Sequence, residues 1–162
     1  MPDPDPNFSA EGGCACGTVR YRLTRAPLFV NCCHCRWCQR ETGAAFALNA
    51  LLETDCVEPL SGAPEAVDTP SQSGKGQRIL RCPVCRVALW SHYGGAGDKI
   101  AFIRVGTLDD PGRFTPRIHI YTDFKQPWVV LPDNVPATGE HYSRREHWPE
   151  SSLARLRALR ER

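Results

Sequence analysis

The sequence predicts an all-β domain that ends in one short helix. Three observations support this prediction: short apolar or alternating segments recur along the chain, turn-forming residues separate them, and helical periodicity is confined to the C-terminal end. The 14 prolines and 13 glycines provide many turns, while 41% hydrophobic residues suffice for a core. A length of 162 residues is typical of a single domain.

The predicted strands follow from local patterns. Val19, Tyr21 and Leu23 alternate with polar residues, which is typical of a half-buried strand over residues 17–23. Similar patterns predict further strands at residues 28–30, 44–52, 56–60, 78–81, 87–90, 99–105 and 117–121. Residues 37–42 predict a single helical turn, which Gly43 ends.

A polar stretch interrupts the strands. Residues 61–76 are rich in Ser, Gly and Pro, which predicts a loop or a hairpin tip. The sequence Gly74-Lys75-Gly76 is similar to part of a phosphate-binding loop. It fails the spacing test, because Thr69 stands where the motif requires Gly and no Ser or Thr follows Lys75.

The C-terminal segment combines an irregular part with the one predicted helix. Residues 127–149 carry four prolines and are predicted to be irregular, and the helix is predicted at about 150–161. We expect Ser151 or Ser152 to cap it. Its leucines recur on one side of the helix at Leu153, Leu156 and Leu159, which predicts the buried face. Its basic residues predict a solvated face and are Arg155, Arg157, Arg160 and Arg162.

Composition also narrows the class of protein. No apolar run is long enough to span a membrane, and the acidic, proline-rich start lacks the features of a signal peptide. The net charge of +2 is too small to predict a nucleic-acid partner. Nine cysteines without a secretory signal indicate a reducing, cytoplasmic location, where clustered thiols serve as metal ligands or in catalysis.

Two outer cysteine pairs predict a structural zinc site. Cys14 and Cys16 form a Cys-x-Cys pair, and Cys82 and Cys85 form a Cys-x-x-Cys pair. Together they offer four thiolates, which complete a tetrahedral zinc site. Structural zinc contributes on the order of 10 kcal/mol to the folding of small peptides. The alternative is a redox dithiol at Cys82 and Cys85, although no βαβ pattern surrounds them.

A central triplet predicts a second and different site. Cys33, Cys35 and Cys38 supply three thiolates, and a fourth position left free is the arrangement of catalytic zinc. The alternative is that Cys32 or His34 closes the site and makes it structural. Alternation along a strand points both of these side chains away from the triplet, which favours the open site.

Two other residues carry weaker predictions. Cys56 stands alone in a strand-like segment and is predicted to be a small buried hydrophobe. His119 lies between two isoleucines, which predicts a structural histidine, with a catalytic role in a pocket as the alternative.

The sequence resembles the glutathione-dependent formaldehyde-activating (GFA) enzymes, whose domain is shared with centromere protein V. The resemblance covers roughly residues 12–135 and depends on three cysteine clusters in order. The matching segments are Gly13-Cys14-Ala15-Cys16-Gly17, Cys33-His34-Cys35-Arg36-Trp37-Cys38, Cys82-Pro83-Val84-Cys85, Gly106-Thr107-Leu108-Asp109-Asp110, His119-Ile120-Tyr121 and Pro127-Trp128.

This resemblance implies a two-sheet, Mss4-like zinc-binding fold at residues 12–135, preceded by a flexible lead at 1–11 and followed by an extension at 136–162. It also implies structural zinc on the outer pairs and catalytic zinc on the triplet. One position departs from the family, because Arg86 stands where a glycine usually follows the second knuckle cysteine. We expect a strained left-handed residue or a shifted turn there.

The function that follows is a zinc-dependent carbon–sulfur lyase, similar to S-(hydroxymethyl)glutathione synthase. It would hold two zinc ions per chain and join a small thiol, glutathione or a similar one, to formaldehyde or another small aldehyde. Its partners would be these small molecules, with no nucleic acid and no membrane. The alternatives are a non-catalytic zinc module that binds protein or nucleic acid, and a different lyase or hydrolytic reaction on the same zinc.

Overall fold

The computed structural model describes residues 7–161, and two β-sheets dominate them. The smaller sheet contains, in spatial order, β1 (Ala10–Gly13), β2 (Arg20–Leu23) and β5 (Val57–Ser61). The larger sheet contains, in spatial order, β10 (Ile118–Ile120), β3 (Phe29–Cys33), β4 (Ala47–Glu53), β9 (Ile100–Arg104), β8 (Ala88–Tyr93), β7 (Gln77–Arg81) and β6 (Glu65–Thr69). This architecture confirms the predicted all-β, two-sheet fold.

Neighbouring strands are antiparallel except at one edge of the larger sheet. There β10 runs parallel to β3, with His119 opposite Cys32 and Ile120 opposite Cys33. The central cysteine cluster therefore lies where β3 ends, and the parallel strand β10 ends at the same level beside it.

Within the described residues three helices complete the fold: α1 (Arg36–Thr42), α2 (Arg144–His147) and α3 (Glu150–Arg160). Helix α1 confirms the predicted helical turn, and Gly43 ends it in the left-handed conformation with φ of 66°. Short 3-10 turns occur at Thr54–Cys56, Val105–Thr107, Pro111–Arg113 and Thr122–Phe124. No helix among residues 7–161 is long and apolar enough to cross a bilayer.

The larger sheet is covered on both faces, which explains why its central strands β4 and β9 are almost continuously buried. On one face its apolar side chains pack against the small sheet, and on the other against the C-terminal segment. The first cluster includes Tyr21, Leu23, Leu52, Leu89 and Ile103, and the second includes Phe29, Leu51, Phe102, Trp148, Leu156 and Leu159.

The C-terminal segment is attached more firmly than its proline content predicts. The Phe29 ring stacks on Tyr142 and Trp148, with centroid distances of 5.8 and 5.6 Å, and the Trp148 indole N–H donates to the Tyr142 hydroxyl. Helix α2 forms within the part predicted to be irregular. These aromatic contacts hold residues 142–148 against the face of the larger sheet on which the cysteine triplet also lies.

Two predictions about helix α3 were wrong. Pro149 occupies the cap position and makes no side-chain cap bond, while the Ser152 hydroxyl donates to the Leu28 carbonyl instead. Arg155 does not lie on a solvated face. It makes two hydrogen bonds to the buried carboxylate of Glu53, at 2.9 and 2.6 Å. Periodicity identified the apolar side of the helix, but a long cation can reach a buried partner from its edge.

Two other segments also differ from the prediction. Strand β1 begins at Ala10, inside the segment predicted to be a flexible lead, whose residues 1–6 lie outside the described part of the chain. Strand β6 forms inside the predicted loop 61–76. It is an edge strand whose side chains are mostly exposed, so it lacks the apolar pattern that predicts a strand.

Arg86 adopts the left-handed conformation expected after the knuckle, with φ of 65°. The turn is not shifted, because the Arg86 N–H still donates to the Cys82 carbonyl at 3.0 Å. A residue with a Cβ is strained in this conformation, and the ion pair between Arg86 and Glu65 is exposed and contributes little.

Replacing Arg86 with glycine is therefore expected to raise the free energy of unfolding by about 1 kcal/mol, measured by urea denaturation of the zinc-loaded protein. The matched control is Arg86→Ala, which removes the same ion pair but keeps the Cβ and should give no gain. A glycine variant no more stable than the alanine variant would show that Arg86 carries no backbone strain.

Candidate metal centres and cavity

Four cysteine sulfurs from the outer pairs meet at one end of the domain. Cys14 and Cys16 follow β1, and Cys82 and Cys85 lie in the turn between β7 and β8. Their sulfurs all lie within 4.8 Å of one another. The measured separations of 3.5 Å from Cys14 to Cys16 and 3.7 Å from Cys16 to Cys82 are close to the ~3.8 Å expected between two sulfurs of a tetrahedral zinc site.

Backbone amides around this cluster favour thiolates. The Val19 N–H points at the Cys14 sulfur at 3.3 Å, and the Val84 N–H points at the Cys82 sulfur at 3.4 Å. Hydrogen bonds with the Thr18 side chain and backbone lower the pKa of the Cys16 thiol to about 6. Four convergent sulfurs with N–H donors around them fit a closed metal site better than a two-sulfur redox pair.

The central triplet forms a second group of sulfurs. Cys33 is the last residue of β3, Cys35 caps α1, and Cys38 lies in the first turn of that helix. All three side chains are buried, and their sulfurs lie within 4.8 Å of one another. The structure therefore brings together the three residues that the spacing selected.

The ionisation of the three thiols in the triplet also favours a bound cation. Hydrogen bonds with the Cys33 and Cys38 side chains, and then with backbone amides, lower the pKa of the Cys35 thiol to about 3. The hydrogen bond with Cys35 raises the pKa of Cys33 well above its ordinary value. Three thiolates held this close together repel one another, so a divalent cation among them would stabilise the fully ionised group.

Cys32 and His34 lie in a different cluster from the triplet. Their neighbour there is His119 on β10, whose Nδ1 is 2.9 Å from His34 Nε2, while the Cys32 sulfur is 3.7 Å from the same nitrogen. Burial first, and then the charge of His119, lower the pKa of His34 to about 4, so the ring is neutral at pH 7. Among residues 7–161 no fourth Cys, His, Asp or Glu joins the triplet.

This second cluster is best explained by hydrogen bonding, although its residue types could also hold a metal. Two histidine nitrogens on one tetrahedral zinc would be about 3.3 Å apart, whereas 2.9 Å is an ordinary hydrogen-bond length. One ring therefore donates to the other. His119 lies outside the cavity described below, so its position supports the structural role and not the catalytic one.

A cavity of about 280 Å³ opens directly onto the triplet. This volume lies near the lower end of the range for small-molecule sites. Its lining is mostly apolar or uncharged, with Tyr93, Phe102, Ile120 and Trp37 around the three cysteines. Tyr121 also faces it and has a left-handed backbone with φ of 56°, a strained geometry that concentrates at functional sites.

The rim of the cavity comes from two segments that sequence reasoning left out of the site. Ser71, Ser73 and Lys75 belong to the connection between β6 and β7, and His141 and Arg144 belong to the C-terminal extension. The sequence around Lys75 is similar only to an incomplete phosphate-binding loop. No local signal distinguishes Arg144 from other arginines, because only the packing of Tyr142 and Trp148 brings it to the cavity.

Cys56 takes no part in either site. It lies partly buried at the end of a 3-10 turn, where its sulfur is 3.6 Å from the Asp55 carboxylate. Its environment agrees with a packing role for a small side chain. The remaining eight cysteines divide into the four of the closed cluster, the three of the triplet, and Cys32 beside the histidine pair.

Comparison with known proteins gives one family. A family model described as "Glutathione-dependent formaldehyde-activating enzyme" matches residues 9–124, which is more than half of the chain. A search of curated proteins finds no match. Among solved structures, a Rhodobacter sphaeroides protein from a structural genomics programme is similar at 18% identity with a TM-score of 0.47; the match covers 79% of this chain and 99% of that one.

Proposed function

The chain belongs to the glutathione-dependent formaldehyde-activating enzyme family, and from this premise we propose that it is a zinc-dependent carbon–sulfur lyase. It would join a thiol, glutathione or a similar one, to formaldehyde or another small aldehyde. In that reaction the sulfur bonds to the carbonyl carbon, and the thiol proton finally resides on the carbonyl oxygen as a hydroxyl. The observation that carries the proposal is a three-cysteine group that lines a small cavity and has no fourth ligand among the described residues.

Two sets of residues would hold metal under this proposal. Cys14, Cys16, Cys82 and Cys85 would hold a structural zinc, and Cys33, Cys35 and Cys38 a catalytic one. Zinc bound to the triplet would stabilise a thiolate or polarise a carbonyl. Because three thiolates leave such a site with a net charge of −1, we expect modest polarisation, with positioning as the larger contribution. The cysteine clusters also need a reducing compartment, which favours a cytoplasmic location.

The rest of the cavity indicates how a thiol would lie in it. The lining around the triplet is mostly apolar or uncharged, so it favours the small reacting end of the substrate. The charged side chains of the lining, Lys75 and Arg144, are both cationic, and neither forms an ion pair with a described carboxylate. Glutathione carries two carboxylates, and we infer that these lie at the rim while its sulfur faces the triplet.

The cavity also separates this proposal from a non-catalytic zinc module. A module that only binds a protein or nucleic acid needs no pocket at its second metal site, and a closed four-ligand site would suit it better. The test is glutathione–formaldehyde exchange measured by NMR, where the protein should accelerate formation of the adduct over the uncatalysed background. Exchange at the background rate would show that glutathione and formaldehyde are not the substrates, and the metal sites would then serve another reaction.

Arg144→Gln is expected to raise KM for glutathione roughly 10-fold with little change in kcat, because a charged hydrogen bond to a carboxylate contributes about 1.5 kcal/mol. With 2-mercaptoethanol, an uncharged thiol, the same variant should match the wild type. The matched control is Arg145→Gln, since Arg145 is the exposed neighbour and does not line the cavity. If KM rose equally for both thiols, Arg144 would support the fold and would not bind a carboxylate.

A further inference from the structure

Arg104, on β9, is a buried cation with no carboxylate partner in the described part of the chain. Arg104 is only 6% exposed to solvent. One terminal nitrogen donates to the Asn49 side-chain oxygen at 2.5 Å, and the other donates to the Ser91 hydroxyl at 3.0 Å. Its Nε has no partner, and among residues 7–161 no carboxylate forms an ion pair with it.

Such a charge is costly unless an anion compensates it. Arginine stays protonated inside proteins, so burial cannot neutralise it. The fold satisfies its other deeply buried charge in the usual way, because Glu53 is 1% exposed and accepts two hydrogen bonds from Arg155. Arg104 therefore requires a negative charge that the described carboxylates do not supply.

The cysteine triplet offers such a charge, and a hydrogen-bond partner of Arg104 shares its cavity. Asn49, which accepts the hydrogen bond from Arg104, lines the same cavity as Cys33 and Cys38. Tyr93 lines the same cavity and is close enough to both groups to respond to their charges. Burial raises the pKa of its hydroxyl, the charge of Cys38 raises it further, and the charge of Arg104 opposes both.

We propose that Arg104 is the internal counter-charge of the Cys33, Cys35 and Cys38 site. This inference rests on the proposed occupancy of that site by zinc. Three thiolates and one divalent cation carry a net charge of −1, and Arg104 brings the group to neutrality. When a substrate thiolate adds another negative charge, the same guanidinium lowers the cost of holding it. Arg104 acts through Asn49 and Tyr93, so it is a positioning residue and does not touch the substrate.

The test compares zinc affinity in two variants by competition with a chromophoric chelator. Arg104→Met removes the charge and should weaken zinc binding at the second site about 10- to 100-fold, which is the usual effect of losing an outer-shell partner. Arg104→Lys keeps the charge and should stay closer to the wild type. Binding at the four-cysteine site should be unchanged in both.

A thermal double-mutant cycle distinguishes the counter-charge from a packing role. In a Cys35→Ala background the triplet cannot hold three thiolates, so Arg104 has nothing to balance. There Arg104→Met should leave Tm unchanged or raise it, whereas in the zinc-loaded wild type it should lower Tm. Equal lowering in both backgrounds, or unchanged zinc affinity in Arg104→Met, would overturn the inference. A wild type without a second zinc would remove it together with the proposed function.

Discussion

Replacing Cys35 with alanine is expected to lower the zinc content from about two ions per chain to about one, with the fold intact and the thiol–aldehyde activity lost. Cys35 accepts the Cys38 N–H at the start of α1 and belongs to no strand, so its loss breaks no strand pairing. The four-cysteine site is separate in sequence and in space. Metal analysis, circular dichroism and NMR exchange on one preparation would measure all three effects.

Cys32→Ala is the matched control for this experiment. Cys32 is equally buried and adjacent in sequence, yet its sulfur lies beside His34 and His119. We expect this variant to keep both zinc ions and its activity. If Cys32→Ala lost the second zinc, Cys32 would be a fourth ligand and the site would be closed. A single zinc ion in the wild type would contradict the two-site arrangement itself.

Replacing Cys82 with serine is expected to have the largest effect on stability. The four-cysteine cluster joins the end of β1 to the hairpin of β7 and β8. Cys16 and Cys82, which are in contact there, are 66 residues apart in the sequence. Loss of a structural zinc removes binding free energy that is also folding free energy. We expect Tm to fall by on the order of 15 °C or more, or the chain not to fold at 25 °C.

Val84→Ala, in the same turn, is the control for the knuckle. Val84 is 66% exposed and its side chain is not a ligand, so Tm should change by no more than about 2 °C. A thermal melt followed by circular dichroism, with metal content measured before it, gives both values. If Cys82→Ser melted within a few degrees of the wild type, the two sheets would hold together without this zinc, and the site would have another role.

Much of the candidate site could be predicted because its information is local. The side chains of a Cys-x-x-Cys or Cys-x-Cys turn meet within a few residues, so spacing alone selects the ligands. The left-handed conformation of Arg86 is also a local feature, since the geometry of the knuckle requires it independently of the rest of the fold. The side to which Cys32 points follows from strand alternation.

Other features could not be predicted, since they depend on partners far away in the chain. Ser152 has the chemistry of a helix cap, but in the folded chain its hydroxyl donates to the Leu28 carbonyl instead. Arg155 has the position of a solvated residue, but Glu53 is buried within its reach. Strand β6 forms because the edge of β7 offers backbone hydrogen bonds, which its own polar composition does not reveal.

Ligand spacing and strand alternation are properties of short segments, so the two cysteine groups, the all-β class and the family could be predicted from the sequence. Three features depend on the packing of distant segments: the triplet opens onto a cavity, Lys75 and Arg144 both line it, and Arg104 has no carboxylate partner among residues 7–161. Cavities and charge balance arise from segments that become neighbours when the two sheets and the C-terminal extension pack together.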